Sequence, residues 1–356
     1  MTRILFTGYA PVHFACFRPL YERFRLLPDT EVLVSGGLRS TDESGAARHD
    51  TAALYESFDL PPEVVVDASR LPDLDVDILV CASTQSPRPR SYGQAVQIFH
   101  GTSFRNRAIR SQNSTYDHYL MLGPYMRRSF ERRGVMPADD PRVVEIGFPK
   151  TDPLVTGELN RVEVLRKLNL SGERPVVLFA PTGAHGNAME MFGEELLAQF
   201  ARSNDYDLLV KPHDHAKATI NWFDRLSELE TDHARLVRSF DVIPALSVTD
   251  LLISDASSIA NEYLLLDRPI VFLDVPVLLA AAAEEDDRLD LDTWGRKGGV
   301  VVRNVTAAMQ AVADGLADPT AQSEIRTTIA RDLFYNPGTA TDAAVEWFRQ
   351  HTPVSA

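Results

Sequence analysis

Polar residues that can move protons or hold anions follow several apolar runs of this sequence. His100 comes directly after the run at residues 95–99. Thr182, His213 and the segment 254–258 hold the same position after later runs. Ligands of open α/β sheets bind outside the carboxyl ends of the strands, so these are the positions at which a ligand is expected. Histidine beside small hydroxyl residues suits proton transfer and anion binding.

The segment Ser254-Asp255-Ala256-Ser257-Ser258 lies between an apolar run and a helical pattern at residues 259–266. One Ser or Asp at a helix start is explained by capping of free backbone N–H groups. Capping does not account for three hydroxyls and a carboxylate in five residues. A helix N-terminus at a strand's carboxyl end also attracts phosphate, because its N–H groups and dipole favour negative charge. The segment therefore predicts phosphate binding.

The sequence Lys211-Pro212-His213-Asp214-His215 leaves a metal site open as an alternative. His-x-His with one Asp is a weak metal pattern, and no second ligand cluster and no H-E-x-x-H sequence accompany it. The sequence also contains no Gly-x-Gly-x-x-Gly or Walker pattern. We therefore expect neither a metal nor a cofactor.

Charge is spread unevenly over the 356 residues. The net charge of −14 argues against general nucleic-acid binding. From Arg88 to Arg133, however, nine arginines stand against two acids, which predicts an anionic partner for this stretch. The expected patch for this anionic partner, or for a membrane surface, consists of Arg127, Arg128, Arg132 and Arg133. No apolar stretch approaches the ~20 residues of a membrane span, so the expected location is cytoplasmic, with peripheral contact at the inner face of the membrane left open.

Two series of short apolar runs alternate with helical patterns, and the runs do not alternate polar with apolar residues. Such runs are typical of parallel strands buried on both faces. The fold class predicted is α/β, with two doubly wound, Rossmann-like domains facing each other across a cleft. The predicted bounds are 1–160 for the first domain, 161–335 for the second domain and 336–356 for a final helix packing back on the first domain. A strand is expected at 63–68, and a loop carrying His13 after the first strand.

Five segments carry a family resemblance. They are HGTSFRN at 100–106, VVLFAPT at 176–182, LLVKPHDH at 208–215, SVTDLLISDASSIANEYLLLDRPIVFL at 247–273 and YNPGTATDAAVEWF at 335–348. In order and spacing they resemble the CDP-glycerol glycerophosphotransferase family, which contains the teichoic acid primases and polymerases. Three positions depart from the family pattern: Ala256 replaces a Tyr, Gly183 stands where a Trp is usual, and the Arg that follows that Trp is missing.

The resemblance implies a GT-B fold and transfer of glycerol phosphate, or a similar polyol phosphate, from a CDP-activated donor to a hydroxyl acceptor, with release of CMP. The CDP donor is then a substrate, and the acceptor is an anionic or lipid-linked polymer of the cell wall or capsule. His100 is expected to be the general base and His213 a second catalytic residue that contacts phosphate. Cytidine is expected against the second domain, near Thr182 and residues 240–244. The second domain, 161–335, is then the CDP-donor domain, and the first domain, 1–160, is the acceptor domain. The expected donor-binding residues are Thr102, Arg105, Thr182, Lys211, Ser254, Asp255, Ser257 and Ser258.

Other functions stay open on the sequence alone. A nucleotide-sugar glycosyltransferase of the same fold would use His13 as its base. A nucleotide-sugar 2-epimerase or hydrolase has a similar two-domain architecture, and a non-catalytic binding protein could keep the cleft without turnover. Preference for CMP over UMP would favour the CDP-dependent transferase.

Overall fold

The computed structural model describes residues 1–41, 47–83, 86–101, 115–213, 220–284, 290 and 293–351. The chain divides into two units. The first comprises residues 1–100, 109–152 and 334–356, and the second comprises residues 101–108 and 153–333. The predicted bounds fell after residues 160 and 335.

A six-stranded parallel sheet forms the centre of the first unit, in the order β2-β1-β5-β6-β7-β8. A two-stranded antiparallel pair, β3 and β4, accompanies it. The strands are β1 (Thr2–Gly8), β2 (Thr30–Gly36), β3 (Leu38–Thr41), β4 (Ala47–Asp50), β5 (Asp75–Cys81), β6 (Ser91–Ile98), β7 (His118–Met121) and β8 (Val143–Glu145). The helices of this unit are α1 (Pro11–Phe24), α2 (Thr51–Tyr55), α3 (Pro124–Arg132) and, at the chain end, α13 (Ala340–His351). Helix α4 (Asp152–Thr156) lies where the chain passes into the second unit.

A second six-stranded parallel sheet forms the other unit, in the order β11-β10-β9-β12-β13-β14. Its strands are β9 (Val176–Phe179), β10 (Asp207–Val210), β11 (Ala234–Leu236), β12 (Leu251–Ser254), β13 (Ile270–Leu273) and β14 (Val300–Val302). Its helices are α5 (Arg161–Lys167), α6 (Ala188–Arg202), α7 (Trp222–Leu226), α8 (Ile243–Val248), α9 (Ile259–Tyr263), α10 (Pro276–Glu284), α11 (Val305–Ala317) and α12 (Ser323–Leu333). Strand order reverses between β9 and β12, and such a switch point is where α/β sheets bind ligands.

The central strands are buried on both faces, as their uninterrupted apolar runs predict. Every residue of β9, β10, β12 and β13 is buried. Helices cover both faces of a parallel sheet, so neither face of these strands lies against water. The predicted fold class of two doubly wound α/β domains is therefore confirmed.

The strand expected at residues 63–68 is wrong. Residues Pro62–Val64 form a 3₁₀ turn, and Val65 makes a single bridge to Val34. Pro61 and Pro62 explain the difference, because each proline fixes φ and lacks the N–H that a strand ladder needs.

The loop expected after the first strand is also wrong. Helix α1 begins at Pro11, so His13 lies in the first helical turn. Proline is favoured at the first helical position, where a missing N–H costs nothing. The predicted loop is therefore limited to the two residues between β1 and Pro11.

The final helix α13 packs on elements of the first unit. The rings of Phe348 and Phe24 meet edge to face, with centroids 5.0 Å apart. At the start of α13 the carboxylate of Asp152 accepts the backbone N–H groups of Ala340 at 3.1 Å and Thr341 at 2.8 Å. It also accepts the Thr341 hydroxyl at 2.7 Å. Asp152 thereby caps the helix from another element.

Over the part of the chain that the structure describes, no helix combines the length and apolar character needed to cross a membrane.

Replacing Asp152 with Ala should loosen α13. The change removes the acceptor of two backbone N–H groups, and buried donors without partners cost about 1–3 kcal/mol. We expect the amides of α13 to exchange with deuterium about tenfold faster, because local opening becomes easier. The matched control is Asp342→Ala on the same helix, whose exposed pair with Arg23 is worth at most about 1 kcal/mol. Equal exchange in the two variants would contradict the capping role of Asp152.

Candidate active site

In the first unit, a backbone carbonyl sets the tautomer of His100. The Nδ1 atom of His100 lies 3.0 Å from the carbonyl oxygen of Ala82, which follows β5. A carbonyl oxygen can only accept, so Nδ1 carries the proton in this contact. In the neutral ring Nε2 then holds the lone pair. This is the form that a general base needs.

The surroundings of His100 favour the neutral ring. Its side chain reaches solvent on one side, but the surrounding protein removes much of its hydration and lowers its pKa below the usual value. The hydrogen bond to Ala82 opposes this shift, and the positive charge of Lys150 adds to it. His100 is therefore available as a base at neutral pH.

Lys150 is a site residue that the sequence reasoning missed. It lies in a short 3₁₀ turn, Pro149–Thr151, shortly after β8, and is only 4% exposed. Its ammonium lies 5.7 Å from the centre of the Phe148 ring. A lysine after a strand, in the same kind of position as His100 and His213, was the available signal.

His13 does not suit the role of base that the glycosyltransferase alternative gives it. Its Nδ1 accepts the backbone N–H of Tyr9 at 3.2 Å, so in this contact the ring proton lies on Nε2. The side chain is also only 2% exposed. A buried ring whose second nitrogen already carries a proton cannot take one from an acceptor.

In the second unit, Asp255 lies at the switch point between β9 and β12 and is fully buried. Its carboxylate accepts backbone N–H groups of Thr182 at 2.8 Å, Ala188 at 3.0 Å and Ala256 at 2.5 Å. These bonds join the loop after β9, the start of α6 and the segment after β12. Asp255, predicted as a donor-binding residue, is thus placed to fix the backbone of these loops.

The three serines of the segment after β12 have different surroundings. Ser254 is fully buried, and its hydroxyl donates to the Ala180 carbonyl at 2.7 Å. The Ser257 hydroxyl accepts the N–H of Ile259 at 3.4 Å, a long contact. Ser258 occupies the N-cap position of α9 without a side-chain cap bond. Capping therefore explains little of this segment, and Ser258 is half-buried at the strand-end side of the sheet.

His213 follows β10, beside the switch point, and its side chain is exposed. It packs closely on Gly183, since a β-carbon at position 183 would come within 2.6 Å of Cγ and Nδ1 of His213. The glycine that departs from the family pattern is thus required by the position of His213. Lys211, just before it, is 3% exposed, with Nζ 3.4 Å from the Pro212 carbonyl oxygen.

The other predicted nucleotide contacts lie on loops of the same unit. Thr182 is half-buried, and its backbone is held by Asp255. Phe240 is half-buried, and Asp241 caps the start of α8 by accepting the N–H of Ile243 at 3.0 Å. Thr102 and Arg105 lie outside the described residues.

One arginine of the predicted patch is hydrogen-bonded to other residues of the first unit. Arg127 donates to the Glu145 carboxylate and to the Ala138 carbonyl. Its charge is therefore used locally. The side chains of Arg128, Arg132 and Arg133, which lie on α3 and directly after it, are exposed. Arg132 also donates to the Ser129 hydroxyl at 3.0 Å.

Within the described ranges, no group of three or more His, Cys, Asp or Glu side chains is arranged to hold a metal ion. Asp214 and His215 of the His-x-His alternative fall outside those ranges.

Replacing Asp255 with Asn should destabilise the loops at the switch point. An amide offers one oxygen, and its NH₂ group would face a backbone donor, so at least one N–H loses its acceptor at a cost of about 1–3 kcal/mol. We expect the apparent melting temperature to fall by about 3–8 °C. The control is Asp241→Asn, whose carboxylate accepts one N–H at a half-buried site. A fall no larger than that of the control would show that Asp255 does not organise these loops.

Comparison with known proteins matches the part of the chain that carries these site residues. Positions 90–344 match the family described as CDP-Glycerol:Poly(glycerophosphate) glycerophosphotransferase. The teichoic acid ribitol-phosphate polymerase TarL of Staphylococcus aureus is 32% identical over 139 residues, which is 36% of this chain and 24% of TarL. The teichoic acid glycerol-phosphate primase of Bacillus spizizenii is 29% identical over 171 residues, covering 47% of this chain and 42% of the primase. These matched stretches span less than half of either relative.

The solved structure of the wall teichoic acid polymerase TagF has the same fold. It superposes with a TM-score of 0.66 at 16% identity, over 98% of this chain and 88% of that one. This likeness confirms the predicted GT-B-like fold. The family match also contains His100, Thr182, His213 and the segment 254–258. The chain therefore belongs to the CDP-glycerol:poly(glycerophosphate) glycerophosphotransferase family.

Proposed function

We propose that this chain transfers glycerol phosphate, or a similar polyol phosphate, from a CDP-activated donor to a hydroxyl acceptor and releases CMP. The product would be a polymer of the cell wall or capsule. The observation that carries the proposal is the His100 tautomer, because a lone pair on Nε2 supplies the base that this reaction needs. Family membership supplies the donor class.

The proton transfer is assigned to the first unit. As the acceptor oxygen attacks the β-phosphorus, its proton passes to Nε2 of His100. The bond from the β-phosphorus to the bridging oxygen breaks, and that oxygen leaves with CMP. The positive charge of Lys150 helps to keep His100 unprotonated before the reaction. No metal or cofactor is assigned to this step.

Donor binding is assigned to the second unit. Ser257, Ser258 and His213 are proposed to contact the donor phosphates, and Lys211 to supply positive charge. Thr182 is proposed to lie by the nucleotide. The support is their common placement on loops that follow β9, β10 and β12. Asp255 is proposed to position these loops without contacting the donor, since it holds the backbone of Thr182 and Ala188.

The acceptor is proposed to be anionic, either a polyol-phosphate chain or a lipid-linked one at the membrane surface. Arg128, Arg132 and Arg133 support this proposal, because they are exposed in a protein of net charge −14. Arg127 is left out of the contact surface, since its guanidinium is used by Glu145 and Ala138. The predicted role of Arg105 stays a prediction.

A ligand screen tests the donor class. Melting temperatures would be compared with CMP, UMP, CDP-glycerol, CDP-ribitol and UDP-sugars at equal concentrations. A ligand at 100 times its Kd stabilises the folded protein by about 2.7 kcal/mol, which is readily measured. We expect CMP and a CDP-polyol to stabilise the protein more than UMP and UDP-sugars do. Stabilisation by UDP-sugars alone would favour the glycosyltransferase or 2-epimerase alternatives.

Replacing His100 with Ala should lower kcat by about 10²- to 10⁴-fold, the range typical of lost general-base catalysis. The donor Kd should change little, because the donor is assigned to other residues. In the wild type, kcat/KM should be level near pH 7 and fall only as the pH drops below 6.5, because the loss of hydration to the surrounding protein lowers the pKa of His100 from that value. An acid limb centred above pH 7, or turnover of His100→Ala within threefold of wild type, would remove His100 from the mechanism.

Replacing Arg128, Arg132 and Arg133 together with Gln should raise the KM for an anionic acceptor and weaken association with anionic liposomes. Exposed charges are screened within ~8 Å at physiological salt, so the difference from wild type should shrink as salt rises. Donor Kd should stay the same.

The matched control for this triple variant replaces Arg166, Arg202 and Arg331, which are exposed on helices of the second unit. It changes net charge equally. If both triple variants shift the acceptor KM to the same degree, the effect is one of net charge, and the arginines of α3 form no acceptor surface.

A further inference from the structure

His13 lies beside His100 but has no role in the proposed proton transfer. The centroids of the two imidazole rings are 4.9 Å apart, and their planes are inclined by 46°. His13 is buried, whereas His100 reaches solvent on one side. At this distance the ring of His100 packs against the buried ring of His13.

Contacts from the end of β1 hold His13 in place. Its Nδ1 accepts the N–H of Tyr9 at 3.2 Å, and the Tyr9 ring meets it edge-on at 4.5 Å. A β-carbon on Gly8 would come within 2.8 Å of the His13 β-carbon, so a residue without a side chain is needed there. His13 is thus fixed by a strand end and by the first turn of α1.

His100 needs such support. Its hydrogen bond to Ala82 fixes one ring atom, and a single hydrogen bond leaves the ring plane able to turn about it. A base must direct its lone pair at the reacting hydroxyl, and a misplacement of about 1 Å can cost 10²-fold in rate. We propose that His13 is a positioning residue that holds the His100 ring in the orientation for proton transfer. This inference rests on the proposed role of His100 as general base.

Histidine meets two demands at position 13. Its ring supplies a planar surface on which the His100 ring packs, and its Nδ1 accepts the N–H of Tyr9. Other side chains meet one demand each. Asparagine can place Oδ1 near the position of Nδ1 and keeps the acceptor, whereas phenylalanine keeps the ring and leaves the N–H of Tyr9 without it.

The pair His13→Asn and His13→Phe separates the two demands. If the His13 ring positions His100, His13→Asn should lower the kcat for CMP release by about 10- to 100-fold, with donor KM within about twofold of wild type. His13→Phe should keep more of the activity at a lower melting temperature. Wild-type kcat in His13→Asn would overturn the proposal, and this holds even if the Phe variant does not fold.

A double variant shows whether His13 acts through His100. In the His100→Ala background, His13→Asn should cause no further loss of kcat, because there is no longer an imidazole to position. The same fold-loss in both backgrounds would mean that His13 acts independently of His100, which contradicts the proposal.

An NMR measurement needs no substrate. The wild-type protein should show a His100 ring in the Nδ1–H tautomer, identified by the loss of its ¹⁵N signals in His100→Ala. In His13→Asn these signals should broaden or move toward the average of the two tautomers. Unchanged His100 signals would overturn the positioning role. Absence of CMP release by the wild type would instead refute the proposed function and leave this readout intact.

Discussion

The buried carboxylate of Asp255 is the interaction on which the second unit's strand-end geometry depends. It lies at the switch point of the sheet and accepts backbone N–H groups from Thr182, Ala188 and Ala256. A carboxyl group removed from water is costly unless its oxygens are hydrogen-bonded. The loops after β9 and β12 therefore have their backbone set before a ligand binds, which is what preorganised phosphate binding requires.

A hydrogen bond between a side chain and the backbone also fixes a site residue in the first unit, but there the backbone group is the acceptor. There a backbone carbonyl, that of Ala82, accepts from His100 and so leaves the lone pair on the other ring nitrogen. The pKa of His100 is lowered because the protein around it replaces water, and the charge of Lys150 acts in the same direction. In each unit a polar side chain and a backbone group that are distant in sequence thus hold each other in place.

Local patterns predicted the strands well, because residues such as Ile4, Leu5 and Phe6 belong to runs that are buried throughout. They failed where proline decided the local conformation, at residues 62–64 and at the start of α1. The sequence also placed His100 and His213 at strand ends. It could not distinguish Asp255, which holds the loops, from Ser258, which lies half-buried beside them. That distinction depends on which backbone amides approach the carboxylate, and those amides are 67 and 73 residues away in sequence.

The identity of the nucleotide product tests the proposed reaction most directly. Attack at the β-phosphorus of a CDP-polyol breaks the phosphoanhydride and releases CMP, whereas glycosyl transfer breaks a bond to carbon and releases a nucleoside diphosphate. The measurement is a ³¹P NMR time course of the protein with CDP-glycerol and a polyol-phosphate acceptor. We expect loss of the pyrophosphate signals and equal growth of CMP and phosphodiester signals, with both growing at least about 100-fold more slowly in His100→Ala. Release of CDP, or CMP formation that continues at the wild-type rate without His100, would contradict it.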